Sequence, residues 1–423
     1  MKRRVVITGM GVVSSIGNDL STFEKNLRNG TSGIRHFPEL EQLQFGCQIG
    51  SRPEIPAELI DLYFTPLQQK QLQADGVLYG ALASAMAWRD AQLAVGETAD
   101  WDSGCILGAG LAGADVIRDS VYHIDAGNTR RLGSTTVPQT MSSAISAFVG
   151  GYLGLGNRVS TNASACSTGT EAMILAAEHI AAGKAERMLA GGCDSGSPYV
   201  WAGFDAMRVT TRKHNTTPTL GSRPMSATAS GFVPGGGGAA LVLESLESAM
   251  QRGARIYAEI RGGFINSGGQ RGGGTMTAPN PEGIKRCIQG ALNDAEITAR
   301  DLQLISGHLT ATIFDAREVE LWRTVLSQDS SFFPYLNALK GLTGHCLSAS
   351  GALEGVATAL QVYAQFVHGS VNCEDLHPEI SAIIDPENIP VQSLDVPIEF
   401  AASSSFGFGD VNSVVILQRF EHG

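Results

Sequence analysis

The chain contains no run approaching the roughly 18 to 20 consecutive apolar residues that a membrane-spanning helix needs. It also has no CxxC pair and no Cys/His spacing of the kind used by structural zinc sites. The start, Met1-Lys2-Arg3-Arg4, is basic, but the apolar run after it, Val5-Val6-Ile7, reaches Thr8-Gly9 after only a strand's length. Neither an export signal nor a membrane span is expected from that pattern. Seven cysteines, at 47, 105, 166, 193, 287, 346 and 373, are an odd number thinly spread. That argues against a disulfide framework and fits a reducing cytoplasm. Positive charge is scarce too: 30 Lys and Arg against 41 Asp and Glu leave a formal net charge of −11. A surface built mainly for nucleic acid phosphates is not expected, and an acidic partner would need a local basic patch.

Glycine, in contrast, is abundant. Its 51 residues are about 12% of the 423, where ~7% is usual, and they fall at turns between apolar runs. Short strand-like runs at 4–8, 104–107, 158–161 and 187–190 alternate with helix-period segments, the pattern of an α/β protein. At 239–243, 244–252 and 255–260 the order becomes strand, short helix, strand, and the pattern then restarts. A boundary near 252 is expected to divide the chain into halves 1–251 and 252–423, the second with a strand at 302–306, helices at 315–326 and 349–365, and a closing strand at 413–418.

The sequence Gly108-Ala109-Gly110-Leu111-Ala112-Gly113 matches GxGxxG after a strand, but the expected acid at the end of a following strand is missing, so a tight turn is the better reading than a dinucleotide site. Cys166 lies in the small-residue turn Ala163-Ser164-Ala165-Cys166-Ser167-Thr168-Gly169, ahead of a segment apolar on nearly every face, the mark of a central buried helix. The unpaired N–H groups at such a helix start favour a thiolate and could hold an oxyanion, which makes Cys166 the candidate nucleophile. Two of nine histidines sit in comparable turns, His308 after the 302–306 strand and His345 in Lys340-Gly341-Leu342-Thr343-Gly344-His345. His36, His123, His179, His214, His368, His377 and His422 lack that context and read as structural or solvent-facing.

Taken in order, these turns resemble the elongating β-ketoacyl-[acyl carrier protein] synthases of the thiolase-like superfamily. The resemblance runs from Val5-Val6-Ile7-Thr8-Gly9-Met10-Gly11 to Phe406-Gly407-Phe408-Gly409-Asp410-Val411-Asn412 and includes Ser222-Arg223-Pro224, Gly231-Phe232-Val233 and Glu354. It implies an αβαβα layered fold of two related halves, a homodimer or heterodimer, an acyl carrier protein as partner, and Claisen condensation without metal or organic cofactor. By matching motif, Cys166 would accept the acyl group, and the N–H groups of Cys166 and Phe408 would form the oxyanion hole. His308 and His345 would act on the malonyl half-reaction, with Lys340 and Glu354 supporting them and Phe408 gating the acyl chain. Leu111 and Thr136 would line the acyl pocket, and Arg130, Arg131 and Arg208 would dock the carrier.

The chain departs from the family where His-Gly-Thr-Ser-Thr-Pro becomes His308-Leu309-Thr310-Ala311-Thr312-Ile313, with Asp315 and Glu318 shifted by one residue. Ser226 replaces an acid, Gly235-Gly236-Gly237 replaces Gly-Glu-Gly, and Asp410 enters the Gly-Gly-Thr-Asn turn. A divergent synthase of fatty-acyl, polyketide or polyene chains is the reading that follows, and a catalytically silent partner subunit of the chain-length-factor class is the alternative.

Overall fold

A computed structural model describes residues 3–326 and 332–421, so that His422 lies outside the described residues. Ten strands, β1 (Val5–Val13), β2 (Ser103–Ala109), β3 (Val159–Ser160), β4 (Arg187–Asp194), β5 (Gly237–Ser245), β6 (Ala258–Ser267), β7 (Leu302–Ser306), β8 (Tyr335–Asn337), β9 (Phe400–Gly407) and β10 (Val411–Gln418), follow one another by hydrogen bonding in the order β8-β7-β9-β10-β6-β1-β5-β4-β2-β3. Read outward from the β1/β6 junction, where Val5 faces Ile260, both sides have the same plan. The first strand pairs antiparallel with the last (β1 with β5, β6 with β10), and the last pairs antiparallel with the one before it. The two remaining strands of each side join in parallel. All nine residues of β1 are buried, as a near-continuous apolar run requires in a strand covered on both faces. The strand expected over 4–8 therefore continues through Gly9 and Gly11, while the one expected over 158–161 shrinks to two residues at the sheet's edge.

Five helices place the site: α1 (Asp75–Asp90), α2 (Thr168–Ala181), α3 (Pro281–Asp294), α4 (Asp315–Leu326) and α5 (Ser350–Ala364). Helices α2 and α5 pack on each other and against strands of both five-stranded sets, while α1 covers one set and α3 the other, which gives the αβαβα layering of a thiolase-like fold. A central helix is covered on most of its faces, which explains why α2 and α5 carry Ala, Met, Ile, Leu and Val around the cylinder and expose polar or amphipathic residues, Glu178 and Tyr363, only toward their C-terminal ends. Their first turns touch. A Cβ on Gly169 would sit 2.3 Å from the Ala352 nitrogen, and one on Gly351 would sit 2.6 Å from the Thr170 nitrogen, so neither position admits a side chain without moving backbone. That contact brings the turns before both helices, bearing Cys166 and His345, to one point. Among the described residues no helix is long and apolar enough to cross a membrane.

Candidate active site

Cys166 sits in a single 3-10 turn, Ala165–Ser167, that runs directly into α2. Ala165 adopts φ +47°, a left-handed conformation that costs a β-carbon residue free energy and is held by the surrounding turn. The Sγ of Cys166 lies 3.1 Å from His345 Nε2, and the Phe408 N–H is near enough to the same sulfur to favour its anion. The Gly407–Phe408 turn also passes the Cys166 nitrogen, where a Cβ on Gly407 would be only 3.1 Å away. The expectation that the helix start would favour a thiolate fails. Burial pushes the Cys166 thiol up to about 11, outweighing the pull of the Lys340 charge and the Phe408 N–H.

The histidines have defined proton positions. His345 Nδ1 receives the Leu347 N–H at 3.1 Å and lies 3.0 Å from Ser350 Oγ. A backbone N–H can only donate, so Nδ1 bears the lone pair and the proton is on Nε2, facing the sulfur. His308 Nδ1 lies 3.4 Å from Lys340 Nζ, again a group that only donates, which puts the His308 proton on Nε2 as well. Burial, and then the Lys340 charge, hold both rings well below the ordinary histidine range, so both are neutral at physiological pH. The rings meet edge to face with centroids 5.6 Å apart. Lys340 is itself clamped by Glu354 in an ion pair whose side chains are 2% and 1% exposed.

The ligand atoms of Cys166, His308 and His345 lie within 4.8 Å of one another, close enough for a small cation. Proton placement opposes that use: a metal-bound imidazole gives its other N–H to an acceptor, whereas both Nδ1 atoms here face donors. The set is instead a pair of N–H donors converging beside a thiol.

Two carboxylates hold the unusual His308 loop. Glu318 accepts the His308 and Leu309 N–H groups at 2.7 and 2.9 Å; Asp315 accepts those of Thr310, Ala311 and Met225 at 2.9, 3.0 and 2.9 Å. Leu309 and Ala311, which stand where the family carries Gly and Ser, adopt φ +22° and +61° and are fully buried. The acid missing at Ser226 is supplied from elsewhere: Asp375 accepts from Ser226 Oγ at 2.5 Å and from Arg223 at 3.0 Å. Asp410, at φ +62°, accepts the Gln270 and Asn280 N–H groups at 2.8 and 2.7 Å and so orders the glycine-rich 268–280 loop.

Phe408 is half-buried against Phe204, which packs on Phe232, which in turn packs on His345. Leu111 is 56% exposed in the single chain, so this chain alone does not enclose it, and Thr136 is half-buried. The Leu111 N–H nevertheless donates to buried Asp194, whose other oxygen accepts the Ser348 N–H three residues beyond His345. Arg130 and Arg131 are exposed on the Thr129–Arg131 turn. Arg208 is exposed next to Val209, whose carbonyl borders Gly231, and the Gly231 N–H donates to Ala311 in the His308 loop. Asp194 and Ser350 were not singled out from sequence; an acid ending the strand run Gly191-Gly192-Cys193 was the available signal for the first.

A thiol beneath two imidazole N–H donors, at the touching ends of two central helices in this layered fold, defines a thioester-condensing enzyme of the thiolase-like class. Comparison with known proteins gives the family. Residues 2–249 match "Beta-ketoacyl synthase, N-terminal domain" and 257–374 match "Beta-ketoacyl synthase, C-terminal domain". The chain is 33% identical to the chloroplastic 3-oxoacyl-[acyl-carrier-protein] synthase I of Arabidopsis thaliana, over 99% of this chain and 87% of that one. A β-ketoacyl synthase of Burkholderia phymatum superposes with TM-score 0.90 at 30% identity, over all of both chains. A type II polyketide ketosynthase solved with its acyl-carrier protein superposes with TM-score 0.88 at 28% identity, over 99% of this chain and all of that one. The chain belongs to the β-ketoacyl synthase family and is an elongating condensing enzyme, an acyltransferase that extends an acyl chain by decarboxylative Claisen condensation.

Proposed function

We propose that Cys166 takes an acyl group from an acyl carrier protein and that His308 and His345 generate the carbon nucleophile from malonyl-carrier. The observation that carries this reading is the convergence of two Nε2–H donors beside the sulfur. In the first half-reaction the Cys166 S–H becomes S–acyl, and its proton goes to the departing carrier thiolate. The tetrahedral oxygen is received by the N–H groups of Cys166 and Phe408. In the second, the malonyl thioester oxygen takes hydrogen bonds from both imidazoles as the bond to the carboxylate breaks and CO₂ leaves. The enolate attacks the acyl carbonyl, a carbon–carbon bond forms as the carbon–sulfur bond to Cys166 breaks, and the expelled thiolate takes up a proton from solvent water. Neutral imidazoles suit this role because they donate without a counter-ion for the outgoing carboxylate to pair with, and each such donor contributes roughly 3 to 4 kcal/mol to charge developing on oxygen.

Lys340 and Glu354 hold the His308 proton in place, Phe408 gates the acyl chain, and Leu111 together with Thr136 of a second subunit bounds the pocket. The exposure of Leu111 in a single chain supports a dimer, identical or mixed, as the working unit. Arg130, Arg131 and Arg208 dock the acidic carrier on a protein of net charge −11. The repeated strand order supports division into halves 1–251 and 252–423, and the cysteine pattern supports a cytoplasmic setting. The departures in the His308 loop, at Ser226 and at Asp410 support a specialised, polyketide or polyene, substrate over bulk fatty acids. Intact-mass analysis after incubation with acyl-carrier proteins of graded chain length tests this: an acyl adduct on Cys166, discharged by malonyl-carrier, is expected. A chain that never acquires the adduct would be the silent partner subunit.

A further inference from the structure

Ser350 is the first residue of α5 and is 3% exposed. Its Oγ lies 3.0 Å from His345 Nδ1, the nitrogen that already accepts the Leu347 N–H. Because that N–H fixes the lone pair on Nδ1, the Ser350 hydroxyl can only act as a second donor to it. Leu347 reaches the ring from φ +52°, so the turn spends conformational energy to aim this N–H. On α5, Ser350 and Glu354 stand at i and i+4, on one helix face. Glu354 acts on His308 Nδ1 through Lys340, and Ser350 acts on His345 Nδ1 directly. A single face of α5 thus supports the Nδ1 side of both rings, beside the Leu347 N–H at His345 and through Lys340 at His308.

We propose that Ser350 is a positioning residue for His345, its hydroxyl keeping the ring neutral with the proton on Nε2 toward Cys166. This rests on the reading of His345 as a donor in the condensation. A bond donated to Nδ1 stabilises the neutral ring and opposes the imidazolium. Around His345, Lys340 acts in the same direction, Glu354 is held in its pair with Lys340, and Cys166 and neutral His308 complete the facing groups; Asp194 lies behind the turn at Ser348. Without the hydroxyl, His345 binds a proton more readily, and an imidazolium at 3.1 Å from the sulfur draws Cys166 toward the thiolate.

The test compares the parent protein with Ser350→Ala and Ser350→Thr by the rate of Cys166 alkylation with iodoacetamide from about pH 5 to 9, the adduct being assigned by mass, and by CO₂ release from malonyl-carrier. For Ser350→Ala the alkylation curve should move to lower pH. Decarboxylation should fall roughly threefold to tenfold, in kcat rather than KM, the scale of one neutral hydrogen bond. Ser350→Thr, which keeps the hydroxyl, should restore the parent curve. An alanine variant whose alkylation curve superimposes on the parent's overturns the proposal. So does a fall in Tm, alkylation and decarboxylation together in both variants, which marks a packing role. Alkylation needs no carrier substrate, so a parent protein that alkylates but never decarboxylates malonyl-carrier would refute the reading of the reaction, while the alkylation curves would still decide the role of Ser350.

Discussion

Replacing Lys340 by Met separates what the buried ion pair does for stability from what it does for chemistry. The Lys340 and Glu354 side chains are 2% and 1% exposed, and among the described residues Glu354 Oε2 has no hydrogen-bond partner of its own, so the lysine is the carboxylate's main support. Breaking a buried pair by removing one member costs about 3 to 5 kcal/mol, because the other charge is left desolvated. Unfolding entropy near 2.1 cal/mol/K per residue over 423 residues gives about 0.9 kcal/mol/K if the chain melts as one unit, so Tm should fall by roughly 3 to 6 °C. Burial already raises Glu354 to about 7, with Lys340 restraining it. Without the lysine the carboxyl takes up a proton more easily, so the loss should be smaller at pH 6 than at pH 8. The double variant Lys340→Met/Glu354→Leu removes both charges and should recover most of the Tm. Decarboxylation should not recover. With no fixed donor at Nδ1, His308 can place its proton on either nitrogen, and loss of one oriented donor costs about 10² to 10³ in rate. Scanning calorimetry reads the first effect and CO₂ release from malonyl-carrier the second. Recovery of both Tm and decarboxylation in the double variant would refute the claim that Lys340 acts by orienting His308.

Cys166→Ala should melt close to the parent yet acquire no acyl mass from acyl-carrier protein; an adduct in that variant places the nucleophile elsewhere. Burial raises Glu318 to about 8 and Glu354 to about 7 from an ordinary 4.5, so the folded chain holds protons that the unfolded one has released. Stability from such groups is lost as pH rises through the folded values, and the depressed histidines, complete in their contribution above about pH 6.5, do not oppose it. Tm should therefore decline from about pH 6.5 to 8.5, less steeply in Glu318→Gln, and a flat parent profile contradicts this. Reversing Arg130 and Arg131 to Glu should raise KM for acyl-carrier and flatten its salt dependence while a small thioester is still accepted; equal losses on both substrates point to misfolding. Leu111→Trp should shorten the longest starter accepted and spare acetyl transfer, and an unchanged chain-length profile in a folded dimer removes Leu111 from the pocket.

Sequence alone determined which turns carry the reactive side chains that the structure gathers. Cys166, His308, Lys340 and His345 were legible because each lies in a short turn of small residues or glycine at an element boundary, and such turns are written in consecutive residues. The restart of the strand and helix pattern after 252 is local in the same way, and the strand that follows it begins at Ala258. The state of those groups was decided by tertiary structure. The helix start argues for a thiolate at Cys166, but burial by the 407–408 turn, α5 and the histidines outweighs it, and desolvation sums over everything packed around one sulfur. The donors that fix both rings, Lys340 and the Leu347 N–H, become donors only when the turns fold against the imidazoles. The acid missing at Ser226 returns from Asp375, a residue 149 positions away in the chain. Local pattern places a residue in an element; protonation, orientation and compensation depend on which distant groups share its volume, and only the packed chain sets that.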